Sequence, residues 1–175
     1  MSANSSQILF DEFFARNNEK VYRFALKLTE DHNMAQEITQ QCFIRLWENI
    51  DQVNNERDIF PLLFVYVKNL VIDNSRQSYR EKKMLAKAAL SKPPEKQEND
   101  LPLLMREYEQ KLEKVIEKMP DQRKTVYQLS RKLGYSHKEI ASKLSISPAT
   151  VKNHLTTALQ FIRKELLMHY DIKSE

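Results

Sequence analysis

The stretch EIASKLSISPATVKNHL, Glu139–Leu155, decides how this chain folds. Ile140, Ala141, Leu144, Ile146, Val151 and Leu155 recur at spacings that put them on the facing sides of two short helices joined at Ser145-Ile146-Ser147. The first helix should run from about Ser136 to Leu144. Pro148 opens the second, because proline at a first helical position sacrifices no hydrogen bond, and Ser147 before it can cap a free backbone N–H. Ala141 is small enough for close approach of two helices at a steep angle, and Leu159, Ile162 and Leu166 continue the buried stripe. Ser145 stands where such turns favour glycine for a positive φ, at some cost in stability.

At about 100° per residue, Ala149, Lys152, Asn153 and Thr156 fall on the outward face of the second helix. These types suit a DNA major groove: asparagine can pair with both edge groups of adenine, lysine with guanine acceptors, and the alanine methyl with thymine. Arg131, Lys132, His137, Lys138, Ser147 and Thr150 flank that helix and are placed to contact phosphates, fixing register without reading sequence.

Working outward, Leu112, Val115, Ile116 and Met119 predict a helix ending at Pro120, and Gln122–Leu133 another ending at Gly134. Upstream, SKPPEKQENDLP, Ser91–Pro102, carries three prolines and no apolar periodicity, and reads as a flexible linker. Before it, Phe10, Phe13, Phe14, Val21, Tyr22, Phe24, Ala25 and Leu28 mark one amphipathic helix, and Ala35, Ile38, Cys42, Phe43, Leu46 and Trp47 a second. A third begins near Ile59, runs through Leu63, Tyr66, Val67, Leu70 and Val71, and turns strongly basic. The expected fold is all-α, two small helical domains joined by a linker: residues 1–91, linker 92–104, and residues 105–175.

Composition narrows the chemistry. The chain has 175 residues with one glycine, against roughly 7% in an average soluble protein, so the dinucleotide fingerprint, the P-loop and the nucleophile elbow cannot be written. One cysteine allows no internal disulfide and no two-cysteine zinc motif, and no apolar run approaches a membrane span. His32, His137, His154, His169 and Cys42 form no catalytic or metal-binding constellation, so neither an enzyme nor a cofactor is expected. MSANSSQILF, Met1–Phe10, has no basic residue ahead of its apolar run, as a secretory signal requires, and the expected location is the cytoplasm. The net charge of +4 hides an asymmetry: six basic against ten acidic residues over Met1–Val67, six against two over Lys68–Ser91, and ten against five over Asp121–Glu175. Two basic zones can each meet a polyanion.

Two further segments, AQEITQQCFIRLW (Ala35–Trp47) and VKNLVIDNSR (Val67–Arg76), together with Glu139–Leu155, resemble the extracytoplasmic-function (ECF) sigma factors of bacterial RNA polymerase. The resemblance covers nearly the whole chain: Ile8 to about Ala88 looks like sigma region 2, Leu112 to about Leu167 like sigma region 4. It implies that Gln36, Glu37, Gln40, Gln41 and Arg45 face the clamp helices of the polymerase's largest subunit while Phe43 and Trp47 pack inward. The family more often has acidic residues where Gln36 and Gln41 stand. It further implies that Lys68, Asn69, Ile72, Arg76, Arg80 and Lys83 hold the melted promoter strand, with Asn69 and Arg76 foremost. Asp73, in the same stripe, is expected to pair with Arg76 or Arg80 instead, because a carboxylate beside phosphate is repelled. The loop Asp51–Asp58 is expected to border a pocket for an extruded base, and Tyr79 could stack on one. Phe64 and Tyr66 read as core.

The implied function is promoter-specific initiation: the chain joins core polymerase through the clamp helices and the flap, reads the minus-thirty-five element with the helix-turn-helix and melts the minus-ten element. Implied partners are core RNA polymerase, promoter DNA and an anti-sigma factor, often anchored in the inner membrane, with no small-molecule substrate. Two other readings of the residues stay open here. A dimeric regulator would bind duplex sites without polymerase, and a helical adaptor would have no need of Lys152, Asn153 or the basic stripe.

Overall fold

The computed structural model describes residues 3–53, 58–85 and 103–169, and these form seven α-helices and one 3-10 turn with no strand. The helices are α1 Ala3–Thr29, α2 His32–Trp47, α3 Phe60–Leu85, α4 Leu103–Glu117, α5 Asp121–Arg131, α6 His137–Leu144 and α7 Pro148–His169, and the 3-10 turn spans Ile50–Gln52. The all-α expectation holds. The chain divides into two compact units, Met1–Val71 with Leu166–Glu175, and Ile72–Glu165. That division falls inside α3. Residues 86–102, which carry most of the expected linker, lie outside the described residues.

In the first unit α1 and α2 form an antiparallel hairpin. α1 ends where Glu30 takes a left-handed conformation (φ 54°) and its N–H reaches the Leu26 carbonyl at 2.8 Å. Asp31 then caps α2, its carboxylate accepting from the Asn33 and Met34 N–H groups at 2.8 and 3.0 Å, which satisfies two of the donors that every helix start leaves free. Tyr22 Oη and His32 Nδ1 share a hydrogen bond of 2.8 Å across the turn. The apolar stripes close on one another: Val21, Phe24 and Ala25 of α1, Ala35, Ile38, Cys42 and Leu46 of α2, and Phe60, Leu63, Phe64 and Val67 of α3 are all buried. Phe24 stacks on Phe64 with ring centroids 4.7 Å apart. Each such side chain contributes about 1.5–3 kcal/mol by leaving water, so this cluster, not any staple, holds the unit.

The second unit is built around Val126, Ile140, Ala141, Val151 and Leu155, against which Leu129, Tyr135, Leu144 and Ile146 pack. α5 stops where Gly134 adopts φ 72°, with the Tyr135 N–H turned back to the Leu129 carbonyl at 3.0 Å. A capping box opens α6: Ser136 Oγ accepts from the Glu139 N–H while Glu139 Oε2 accepts from the Ser136 N–H. Exposed ion pairs, Lys124–Glu117, Lys118–Glu165 and Lys132–Glu113, tie its surface at 2.8–2.9 Å. Water screens such pairs, and they add little to stability.

Candidate nucleic-acid interface

The helix-turn-helix forms as its sequence requires. α6 ends in Ser145, left-handed at φ 54°, ψ 41°, which drops Ile146 onto the core and lets its N–H reach the Ala141 carbonyl at 3.0 Å. Ser147 caps α7, its Oγ accepting from the Thr150 N–H at 3.0 Å and sharing a hydrogen bond of 2.9 Å with the Thr150 hydroxyl. With Val151, Leu155, Ala158 and Ile162 buried, Ala149, Lys152, Asn153 and Thr156 stand exposed on the opposite side. The four expected base-facing residues therefore share one accessible surface on a capped helix whose angle is fixed by a packed core.

The expected phosphate-contacting flank is less uniform. His137, Lys138 and Ser147 are exposed. Lys132 pairs with Glu113, and Ser147 and Thr150 serve the α7 cap. Arg131 is engaged too: its Nη1 lies 2.6 Å from Asp73 Oδ1, within the second unit.

Along α3 the expected DNA-facing stripe splits. Lys68 and Ile72 are half-buried, with Lys68 Nζ over the Phe64 ring at 5.3 Å. Asn69 is a correction. At 2% exposure it belongs to the interior of the bundle, because α3 is covered over a wider arc than a single apolar stripe would need. Arg76 donates to the carbonyl and hydroxyl oxygens of Ser130, and Asp73 pairs with it at 3.8 Å, as the sequence reading expected of that carboxylate. The side chains of Tyr79, Arg80 and Lys83 lie outside the described residues, as do residues 54–57 of the expected base-pocket loop. At that loop's edges Asp51 accepts from Ser6 Oγ at 3.1 Å, and Asp58 caps α3 by accepting from the Phe60 N–H at 2.9 Å, while Ile50 and Val53 are buried anchors. Both carboxylates have structural partners.

The outer face of α2 presents Gln36, Glu37 and Gln40 exposed and Gln41 and Arg45 half-buried, with Gln41 Nε2 donating to Glu37 Oε1 at 2.9 Å. Phe43 packs inward as expected. Trp47 does not: it is 43% exposed, its ring edge-on to Phe10 at 5.3 Å. The sequence reading missed Ile44, 57% exposed among these polar groups. Its signal was available, since Glu37, Gln41, Ile44 and Glu48 follow one another at steps of four and three residues, off the phase of the buried stripe. Cys42 is inert. Burial pushes its thiol up from 9.0 to about 12 despite the nearby Arg45 charge. Among the described residues no group of His, Cys, Asp and Glu could hold a metal ion, and no helix is long and apolar enough to cross a membrane.

These features define a helical protein with a helix-turn-helix and a separate helix whose sequence turns basic along its length. Residues 13–81 match the model of Sigma-70 region 2, and residues 109–162 match that of Sigma-70, region 4. A probable RNA polymerase sigma factor, RfaY of Xanthomonas campestris, is 27% identical over 156 residues, covering 86% of this chain and 38% of that one. The ECF RNA polymerase sigma factor SigL of Mycobacterium tuberculosis is 27% identical over 164 residues, 90% of this chain and 86% of that one. The sigma factor RpoE of Bartonella quintana, solved in complex with the anti-sigma factor NepR, is 17% identical with a TM-score of 0.41, covering 91% of this chain and 98% of that one. The chain belongs to the ECF sigma factors, the class that directs promoter-specific transcription initiation by bacterial RNA polymerase. That class is not catalytic.

Proposed function

We propose that the chain acts as two cooperating modules, residues 1–91 and 105–175 joined by 92–104, in the cytoplasm and without catalysing any reaction itself. The second module reads the minus-thirty-five element with Ala149, Lys152, Asn153 and Thr156 of α7, while Ser147, Thr150 and Arg131 meet the flanking phosphates. The first binds core polymerase through Gln36, Glu37, Gln40, Gln41 and Arg45, with Ile44 as an apolar anchor among them, and holds the melted minus-ten strand on Lys68, Ile72, Arg76, Arg80 and Lys83. Asn69 supports α3 from inside. The observation that carries this reading is the exposed quartet on α7, in which the Ala149 methyl and the polar or basic Lys152, Asn153 and Thr156 share the face opposite the buried stripe. Promoter opening then needs binding energy alone, used to separate strands and keep them apart. Further partners on this reading are the polymerase flap and an anti-sigma factor, often anchored in the inner membrane.

Reconstituted transcription tests it. Purified chain added to core enzyme should start transcripts at specific genomic promoters, and Asn153→Ala should relax discrimination at one upstream base pair by about 1–3 kcal/mol. Tight binding to duplex sites by the chain alone, with no specific initiation alongside core enzyme, would establish the dimeric-regulator reading instead.

A further inference from the structure

Two guanidinium groups assigned above to DNA, those of Arg76 and Arg131, are already occupied within the second unit. Their side chains are only 15% and 10% exposed. Arg131 Nη1 lies 2.6 Å from Asp73 Oδ1, and Arg76 Nη1 lies 3.8 Å from the same oxygen. Arg76 Nη2 donates in addition to the Ser130 carbonyl and, at 3.3 Å, to Ser130 Oγ, on a residue that is itself fully buried. One anionic oxygen thus sits between two guanidinium groups, the arrangement a phosphate oxygen of nucleic acid would adopt there. The Asp73 side chain is 43% exposed, so a solvent-borne anion can reach the position its carboxylate holds between the two less exposed guanidinium groups.

We infer that Asp73 is a specificity residue that acts as an internal phosphate surrogate. It withholds Arg131 and Arg76 from double-stranded DNA, and a promoter phosphate must displace it before either arginine can bind. A single carboxylate competes poorly with a polyanion held in place by polymerase and by α7, but it competes well with stray duplex met by the free protein. The effect is to discourage binding outside the polymerase complex. The inference rests on the proposed phosphate contact of Arg131, and the test separates the two.

The full-length chain and its Asp73→Ala, Arg131→Gln and doubly substituted variants are titrated onto a mixed-sequence duplex of about 30 base pairs, long enough for non-specific backbone binding, with fluorescence anisotropy as the readout. Asp73→Ala should tighten binding about tenfold and steepen its salt dependence by about one released counterion. Arg131→Gln should weaken binding less than about twofold in the native chain and by close to the full tenfold gain in the Asp73→Ala background. Removing a negative charge anywhere would raise affinity somewhat, so the coupling is decisive. If Arg131→Gln weakens binding equally in both backgrounds, Arg131 touches DNA but Asp73 does not withhold it, and the inference is overturned. If Arg131→Gln is silent in both, the phosphate contact itself is wrong and the inference falls with it, whereas the initiation reading is judged separately by transcription.

Discussion

Ser145 takes a backbone conformation that costs an ordinary L-residue about 1–2 kcal/mol, and the helix-turn-helix requires it, since only that bend delivers Ile146 to the core. Ser145→Gly should therefore stabilise the chain by about 1 kcal/mol, the relief exceeding glycine's extra freedom in the unfolded state. Urea unfolding would register this as a higher midpoint at unchanged slope, and a lower midpoint would show that the turn gains more from the serine side chain than from its backbone. The position was legible in the sequence because the motif fixes its geometry. Glu30 was not: it bears the same left-handed conformation at the end of α1, but nothing local distinguishes it from any other charged residue after an amphipathic run. Asn69 misled for a related reason. Steps of three and four residues place it beside Lys68 and Ile72, yet exposure on a bundle helix depends on how wide an arc its neighbours cover, and that is settled by tertiary packing. Burial likewise turns Cys42 from a nominal nucleophile into a core methyl equivalent.

The later helices were largely legible, because they carry their own punctuation: Pro120 before α5, Gly134 after it, and Ser147-Pro148 at the start of α7, whereas the Asp31 cap of α2 went unread. The capping box of α6, Ser136 with Glu139, also went unread, although its spacing stands in the sequence. What periodicity could not supply was which member of an outward face dominates it. On α2 the stripe of Gln36, Glu37, Gln40, Gln41 and Arg45 drew attention to polar groups, while Ile44 and Trp47 expose the larger apolar area. An exposed apolar residue ringed by polar ones is the usual composition of a binding hot spot. Ile44→Ala is accordingly expected to weaken association with core polymerase by about 1–2 kcal/mol, roughly five- to thirtyfold, while leaving thermal stability nearly unchanged, since the side chain is outside the core. Equal affinity for core enzyme, or a matching loss of stability, would count against α2 as the polymerase face.

Across the whole molecule the charge asymmetry along the chain acquires a purpose. The acidic opening segment builds a helical hairpin with a polar outer face, and the basic residues gather on α3 and around α7, the two helices assigned to DNA. Division of labour follows from chemistry. On the proposed reading, base edges of an intact duplex are met in the major groove by the capped opening turns of α7, whereas unpaired strands are held by cationic side chains along α3. Neither task alone starts a transcript. Permanganate reactivity of promoter thymines measures the joint outcome most directly, since it reports unstacked bases. With core polymerase and this chain together, thymines around the start site should become reactive, and core polymerase alone should leave them protected. The same reactivity pattern with and without the chain, at promoters it is known to occupy, would contradict the account.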